Sequence, residues 1–169
     1  MAHDLKFKQG SITDLKQLKE LGLASYGEFS RTLTSENWQI MRTNLNNEEK
    51  LLRLIESSTV FVCEHNNAII GMAYLMPRGN PTHIYPAEWS YIRMVGMHPD
   101  YRGIGIAKKL TQQCIEQAMK AGEQTIGLHT SEIMQAARHI YESLGFKIHK
   151  EIEPIFGVRY WLYRMDIGQ

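Results

Sequence analysis

Arg102, Gly103, Gly105 and Ala107 fall in one run, Arg102-Gly103-Ile104-Gly105-Ile106-Ala107. It lies between an apolar segment ending at His98-Pro99 and a strongly amphipathic one. A strand that turns through glycines into a helix N-terminus makes an anion site, because unpaired N–H groups and the positive end of the helix dipole converge there. Two phosphate loops fail to fit. A P-loop needs a Gly-Lys pair, and the chain has none. A dinucleotide fingerprint opening at Gly103 would need a small residue where Lys108 stands. The run also follows a hairpin in the second half of the chain, with no repeated βαβ half. What fits at every defined position is R-x-x-G-x-A, from Arg102, Gly105 and Ala107. The glycines let backbone N–H groups come close to a pyrophosphate, and Ala107 is small enough not to obstruct them. One helix terminus contributes about 0.3–2 kcal/mol toward an anion, whereas micromolar binding needs about 8 kcal/mol. A ligand held here must be gripped elsewhere too.

The elements that position this turn are readable from periodicity. Leu5 to Lys8 alternates and predicts a short strand. Ser11 and Asp14 have capping-box spacing and open a helix with Ile12, Leu15, Leu18 and Leu21 on one side. A second helical region starts near Thr34-Ser35 with Trp38, Met41 and Leu45 inward. Asn44 to Asn47 is a candidate break before Leu51, Leu52 and Ile55. Thr59 to Glu64 and Ile69 to Met76 read as strands joined by the tight turn His65-Asn66-Asn67-Ala68. Pro77 to Pro86 is a loop, and Trp89 to Met97 is the strand that feeds the motif. The helix after it carries Ala107, Leu110, Cys114 and Ala118 on one stripe, with Ile115 and Met119 flanking, and stops at Ala121-Gly122. Thr125 to His129 predicts a strand and Glu132 to Leu144 a helix. Phe146 opens another strand, and Val158 to Met165 is the last. This order predicts one mixed α/β domain over 1–169 with a single central sheet and no linker.

Composition narrows the partners. A formal net charge of +1, with Lys and Arg scattered, argues against nucleic acid, which wants a basic face. Cys63 and Cys114 form no C-x-x-C pair, and no secretory or membrane-spanning apolar run is present, so a cytoplasmic setting is expected. The seven histidines show no metal-ligand spacing, and no metal is expected.

A second block, Ile140-Tyr141-Glu142-Ser143-Leu144-Gly145-Phe146, completes the picture. The R-x-x-G-x-A turn after its strand, this Y-E-x-L-G-F-like block downstream and the element order together resemble the GNAT superfamily of N-acetyltransferases. The resemblance covers nearly the whole chain. It implies a GNAT-type fold, a largely antiparallel sheet splayed at the motif strand and flanked by helices. It also implies acetyl-CoA as acyl donor. Arg102, Gly103, Ile104, Gly105, Ile106, Ala107 and Lys108 would then cradle the pyrophosphate. Val95, Gly96 and Met97 would line a V-shaped gap facing Thr125 to Leu128. There the backbone of Val95 and Met97 would pair with the pantetheine arm and steady the thioester oxygen, with Gly96 marking a bulge.

By the same resemblance, Tyr141 would donate to the departing thiolate, and Glu88, at the start of the motif strand, is a candidate base. His83, Tyr85 and Glu132 are other polar groups within reach of such a cleft, while Cys63, Cys114, His129 and His139 read as packing residues. A lysine-like amine must be held neutral at a cost of about 4–5 kcal/mol at pH 7, which is the reason for a base. The implied reaction is direct transfer, in a ternary complex, to a primary amine of a small molecule or peptide, with no nucleic acid or membrane partner. Two points stay open. A non-catalytic CoA-binding sensor would keep the same turn, and a homodimer through the apolar C-terminal strand, read as a sheet edge, is possible.

Overall fold

The computed structural model describes residues 4–168, and residues 1–3 and 169 of the expected domain lie outside them. The described strands are β1 Lys6–Gln9, β2 Thr59–His65, β3 Ala68–Met76, β4 Ser90–Met97, β5 Thr125–Ser131, β6 Lys147–Ile155 and β7 Val158–Asp166. The α-helices are α1 Leu15–Tyr26, α2 Ser35–Leu45, α3 Glu48–Ser57, α4 Ile106–Lys120 and α5 Gln135–Leu144. All seven strands join one sheet in the order β1-β2-β3-β4-β5-β7-β6. Only the β4–β5 pair is parallel, since α4 crosses over between them.

The sheet is covered on both faces, and β2 shows how the sequence achieves it. Val60 and Val62 point to one side with Leu18, Leu21, Leu51 and Ile55 of α1 and α3. Phe61 and Cys63 point to the other, toward Leu110, Cys114 and Ala118 of α4 and Tyr141 of α5. The β2–β3 hairpin turns at Asn66 and Asn67, both at positive φ (52° and 64°), as its sequence predicts.

Several boundaries differ from expectation for local reasons. The Ser11–Asp14 capping box is present, but it closes a 3-10 turn at Ile12–Asp14, so α1 begins at Leu15 and Ile12 is exposed. Asn47 caps α3 through Lys50 N–H, which makes the Asn44–Asn47 break real. Glu132 does not start a helix. Its backbone N–H and its carboxylate both bond to the Arg159 backbone and extend the β5–β7 pairing, so α5 begins at Gln135. The last strand, β7, is not an edge: β6 pairs along it through a turn at Phe156 and Gly157 and takes the edge position itself.

Candidate active site in the gap between β4 and β5

β4 and β5 are in register only at Ser90–Ile126 and Tyr91–Gly127, and beyond these pairs they part. The cause lies on the opposite edge of β4. Between the pairs Tyr74–Arg93 and Met72–Gly96, β3 spends one residue and β4 spends two. That makes a bulge at Met94-Val95, with Met94 at φ 50°. The bulge therefore sits two residues before Gly96, where it was expected. Gly96 is small for another reason: a Cβ there would lie 2.7 Å from the Met72 methyl.

The edge of β4 that faces the gap is the expected one, but it is already engaged. His98 N–H bonds across to Ile70 of β3. Alternation then turns the groups of Met97 and Val95 toward the gap. Met97 N–H donates to Ser25 Oγ at 2.9 Å, and Val95 C=O accepts from the Tyr26 hydroxyl at 3.3 Å. Both side chains come from the last turn of α1.

Past β4, His98 caps a 3-10 turn at Pro99–Tyr101, and the chain enters α4 through Gly103 (φ 82°) and Gly105 (φ 87°). Gly105 is the N-cap of α4, and no side chain caps it, so the first helical N–H groups stay open. A Cβ added at either glycine would meet no atom within 4 Å. Positive φ and the approach of a ligand, not internal crowding, are what call for glycine here. The Arg102 guanidinium reaches back to the Glu28 carboxylate and, at 2.6 Å, to the Ser25 carbonyl, tying this turn to the end of α1. The ion pair is partly exposed and contributes at most about 1 kcal/mol, so its role is positional.

One cavity of about 1250 Å³ joins the gap to the turn. Of the residues singled out in the sequence as site candidates, His83, Tyr85, Val95, Met97, Arg102, Gly103, Gly105, Ile106, Ala107, Lys108 and Tyr141 line it. Gly96 is buried behind the wall, and Ile104 points outward, 56% exposed. Glu88 is not brought to the cavity. It sits in an exposed turn before β4, because the strand starts only at Ser90. Glu132 is likewise spent on Arg159.

Tyr141 is 7% exposed, and burial raises its phenol above the ordinary range, so the hydroxyl keeps its proton. It makes no hydrogen bond among the described residues, and Phe146 packs edge-on against its ring. Cys63 and Cys114 are fully buried away from the cavity wall, with burial pushing the Cys63 thiol up to about 11 and that of Cys114 also upward.

The group that the sequence reads as packing, and that the structure sets on the cavity wall, is His129. It lies on β5, on the far wall of the gap, with Nδ1 2.6 Å from the Tyr85 hydroxyl, and both side chains line the cavity. Burial first, then Arg93 and His83, lower its pKa to about 4, so it is neutral at physiological pH. The only signal in the sequence was a histidine at the end of a β-branched strand, which fits packing equally well. Among the described residues no group of three or more His, Cys, Asp or Glu could hold a metal, and no helix is long and apolar enough to cross a membrane.

Comparison with known proteins bears on this geometry. The chain is 40% identical over 76 residues to the N-alpha-acetyltransferase 30 of Schizosaccharomyces pombe, covering 45% of this chain and 47% of that one. It is 30% identical over 137 residues to the N-acetylaspartate synthetase of Xenopus tropicalis, covering 80% of this chain and 48% of the relative. The chain thus spans about half the length of these two curated relatives. Among solved structures, the PaiA N-acetyltransferase of Thermoplasma acidophilum in complex with coenzyme A superposes with a TM-score of 0.77 at 19% identity, over 96% of this chain and 98% of that one. That likeness shows the fold. The Acetyltransferase (GNAT) family matches residues 23–146, from the end of α1 through β4, the glycine turn and α5 to Phe146. The chain, with its splayed β4–β5 pair and uncapped α4, belongs to the GNAT acetyltransferase family.

Proposed function

We propose that this protein transfers the acetyl group of acetyl-CoA directly to a primary amine of a small molecule or peptide. The observation that carries the reading is that one cavity is lined by the open N-terminus of α4, the gap edge of β4 and Tyr141, whose hydroxyl has no partner among the described residues. The residues present fit the donor: uncapped N–H groups and ligand-facing glycines suit its pyrophosphate, with Arg102 and Lys108 beside them. Relatives named N-alpha-acetyltransferase and N-acetylaspartate synthetase support an amine as acceptor.

When bound, acetyl-CoA supplies a thioester carbon for the amine nitrogen to attack, so that a C–N bond forms and the C–S bond breaks. The gap edge of β4 holds the reacting group, with the N–H of Met97 as the donor available to its oxygen once Ser25 yields. With its phenol raised by burial, Tyr141 is too weak an acid to surrender its proton fully to the departing thiolate. Its role is therefore a hydrogen bond to the sulfur as negative charge grows there. His129, neutral, joined to Tyr85 and a weaker base than an ordinary imidazole, accepts the amine's proton late, once the new C–N bond has made that nitrogen acidic. Two buried cysteines outside the cavity support a single direct transfer over an acyl-cysteine route.

The donor half is tested by thermal denaturation with acetyl-CoA. At 100 times its Kd a ligand adds about 2.7 kcal/mol, a rise of roughly 5–10 °C for a chain of this size. Gly105→Glu, which puts a carboxylate at the helix N-terminus, should abolish the rise. An equal rise in that variant would contradict the site.

A further inference from the structure

We infer that Arg93 is the carboxylate anchor of the acceptor pocket, and that the acceptor is a free amino acid. This deepens the transferase reading and rests on it. The charges around the cavity are one-sided. Lys50, Arg53, Arg93, Arg102 and Lys108 line it, and among the described residues Glu28 is the one carboxylate that does. Glu28 is consumed by Arg102. Arg102 and Lys108 flank the turn and answer to the donor's phosphates, which leaves the other three cations unexplained.

Arg93 differs from its companions on α3. Lys50 and Arg53 are exposed at the rim, while Arg93 is half-buried on β4, in register with Tyr74 of β3. Among the described residues its side chain makes no hydrogen bond and no ion pair. Its neighbours are phenols and an imidazole: its charge is felt by Tyr26, Tyr85, Tyr91 and His129, and none of these is an anion at neutral pH. A guanidinium carries five donors in a planar fork, and leaving it half-buried without an acceptor is unfavourable. The group that matches the fork is a carboxylate, through two parallel hydrogen bonds.

Position limits how far that carboxylate lies from the reacting amine. Arg93 precedes Val95 by two residues, and the bulge at Met94-Val95 keeps their separation within the about 7 Å of an extended strand. A guanidinium reaching back from Arg93 and an amine presented at the Val95–Met97 edge are bridged by a short molecule, such as one with amine and carboxylate on the same carbon. The excess of cations disfavours a polyamine, whose like charges would have to enter unpaired.

The test uses the intact protein with CoA or acetyl-CoA present. Binding is measured by calorimetry and transfer by thiol release. The acceptors are L-methionine, L-phenylalanine and L-aspartate, each set against the counterpart that lacks its carboxylate: L-methioninamide, L-phenylalaninamide and L-asparaginamide. Spermidine is the polycation control. At least one acid should bind and be acetylated, with kcat/KM about 10- to 150-fold above its amide. Arg93→Gln should erase that preference mainly through KM, and Arg93→Lys should restore part of it. Both variants should keep the wild-type thermal rise with acetyl-CoA, which shows that they are folded. Amides or spermidine used as well as the acids, an acid preference surviving in Arg93→Gln, or no binding of any acid would overturn the inference. Carboxylate-dependent binding without thiol release would instead overturn the transferase reading and leave the Arg93 anchor standing.

Discussion

Ser25 Oγ accepts the Met97 N–H at 2.9 Å, so the last turn of α1 caps the strand edge along which the acyl donor is proposed to lie. The two residues are 72 positions apart in the chain. Through this bond, and through Tyr26 on Val95 and Arg102 on the Ser25 carbonyl, α1 closes one side of the gap.

The bond has an energetic signature. Removing the hydroxyl in Ser25→Ala leaves a buried N–H without a partner, at a cost of about 1–3 kcal/mol. The ligand-free variant should melt several degrees lower. The rise on adding acetyl-CoA should be larger than in wild type, because the ligand then satisfies a donor that nothing else reaches. Thermal denaturation with and without ligand checks both, and an unchanged rise would mean that the arm does not use Met97 N–H.

Two glycines of the gap strands separate crowding from conformational freedom. A Cβ at Gly127 would stand 2.8 Å from the Trp89 ring and 3.2 Å from the Tyr85 ring, both rigid. Gly127→Ala should therefore cost about 1–3 kcal/mol and lower turnover, since Tyr85 holds His129. At Gly96 the close atom is the flexible Met72 methyl, so Gly96→Ala should cost less. Denaturant unfolding of the two variants reads the order directly.

His129 makes stability depend on pH in a definite direction. Its folded pKa of about 4 lies below the ordinary value of 6.5. As pH falls from 6.5 toward 4, the unfolded chain takes up a proton that the folded chain refuses. The contribution is present in full above pH 6.5 and is lost progressively below it, about 2 kcal/mol between pH 7 and 5. His129→Gln should flatten that slope in melting experiments at pH 7 and 5. It should also lower kcat at neutral pH by about tenfold or more while leaving the KM for acetyl-CoA in place.

What the sequence made legible follows the range of the interactions involved. The Arg102–Ala107 turn, the Asn66-Asn67 hairpin and the α4 stripe are decided by neighbours within a few residues, and they stand where periodicity and turn chemistry put them. The splay of β4 from β5 was implied by family resemblance, but its cause, a bulge at Met94, depends on the register against β3 and leaves no mark in the β4 sequence. Glu88 lies outside the cavity wall because the strand starts two residues later, past the turn that exposes it. His129, Arg93 and Ser25 gain their meaning from what lies across the cavity. Nothing in the sequence sets Arg93 apart from another strand cation; its want of a side-chain partner among the described residues does. The place of β7 inside the sheet likewise depended on β6 running on to Ile155.

The central claim, acetyl transfer with Tyr141 facing the sulfur, is met most directly by free-thiol release from acetyl-CoA over a panel of primary amines, in wild type and Tyr141→Phe. Wild type should release thiol in proportion to an accepted amine. Tyr141→Phe should keep the thermal rise with acetyl-CoA and lose at least about tenfold in kcat. A full thermal rise with no amine-dependent thiol from any acceptor would contradict the account and leave a CoA-binding sensor in its place. An undiminished rate in Tyr141→Phe would remove the residue from the chemistry.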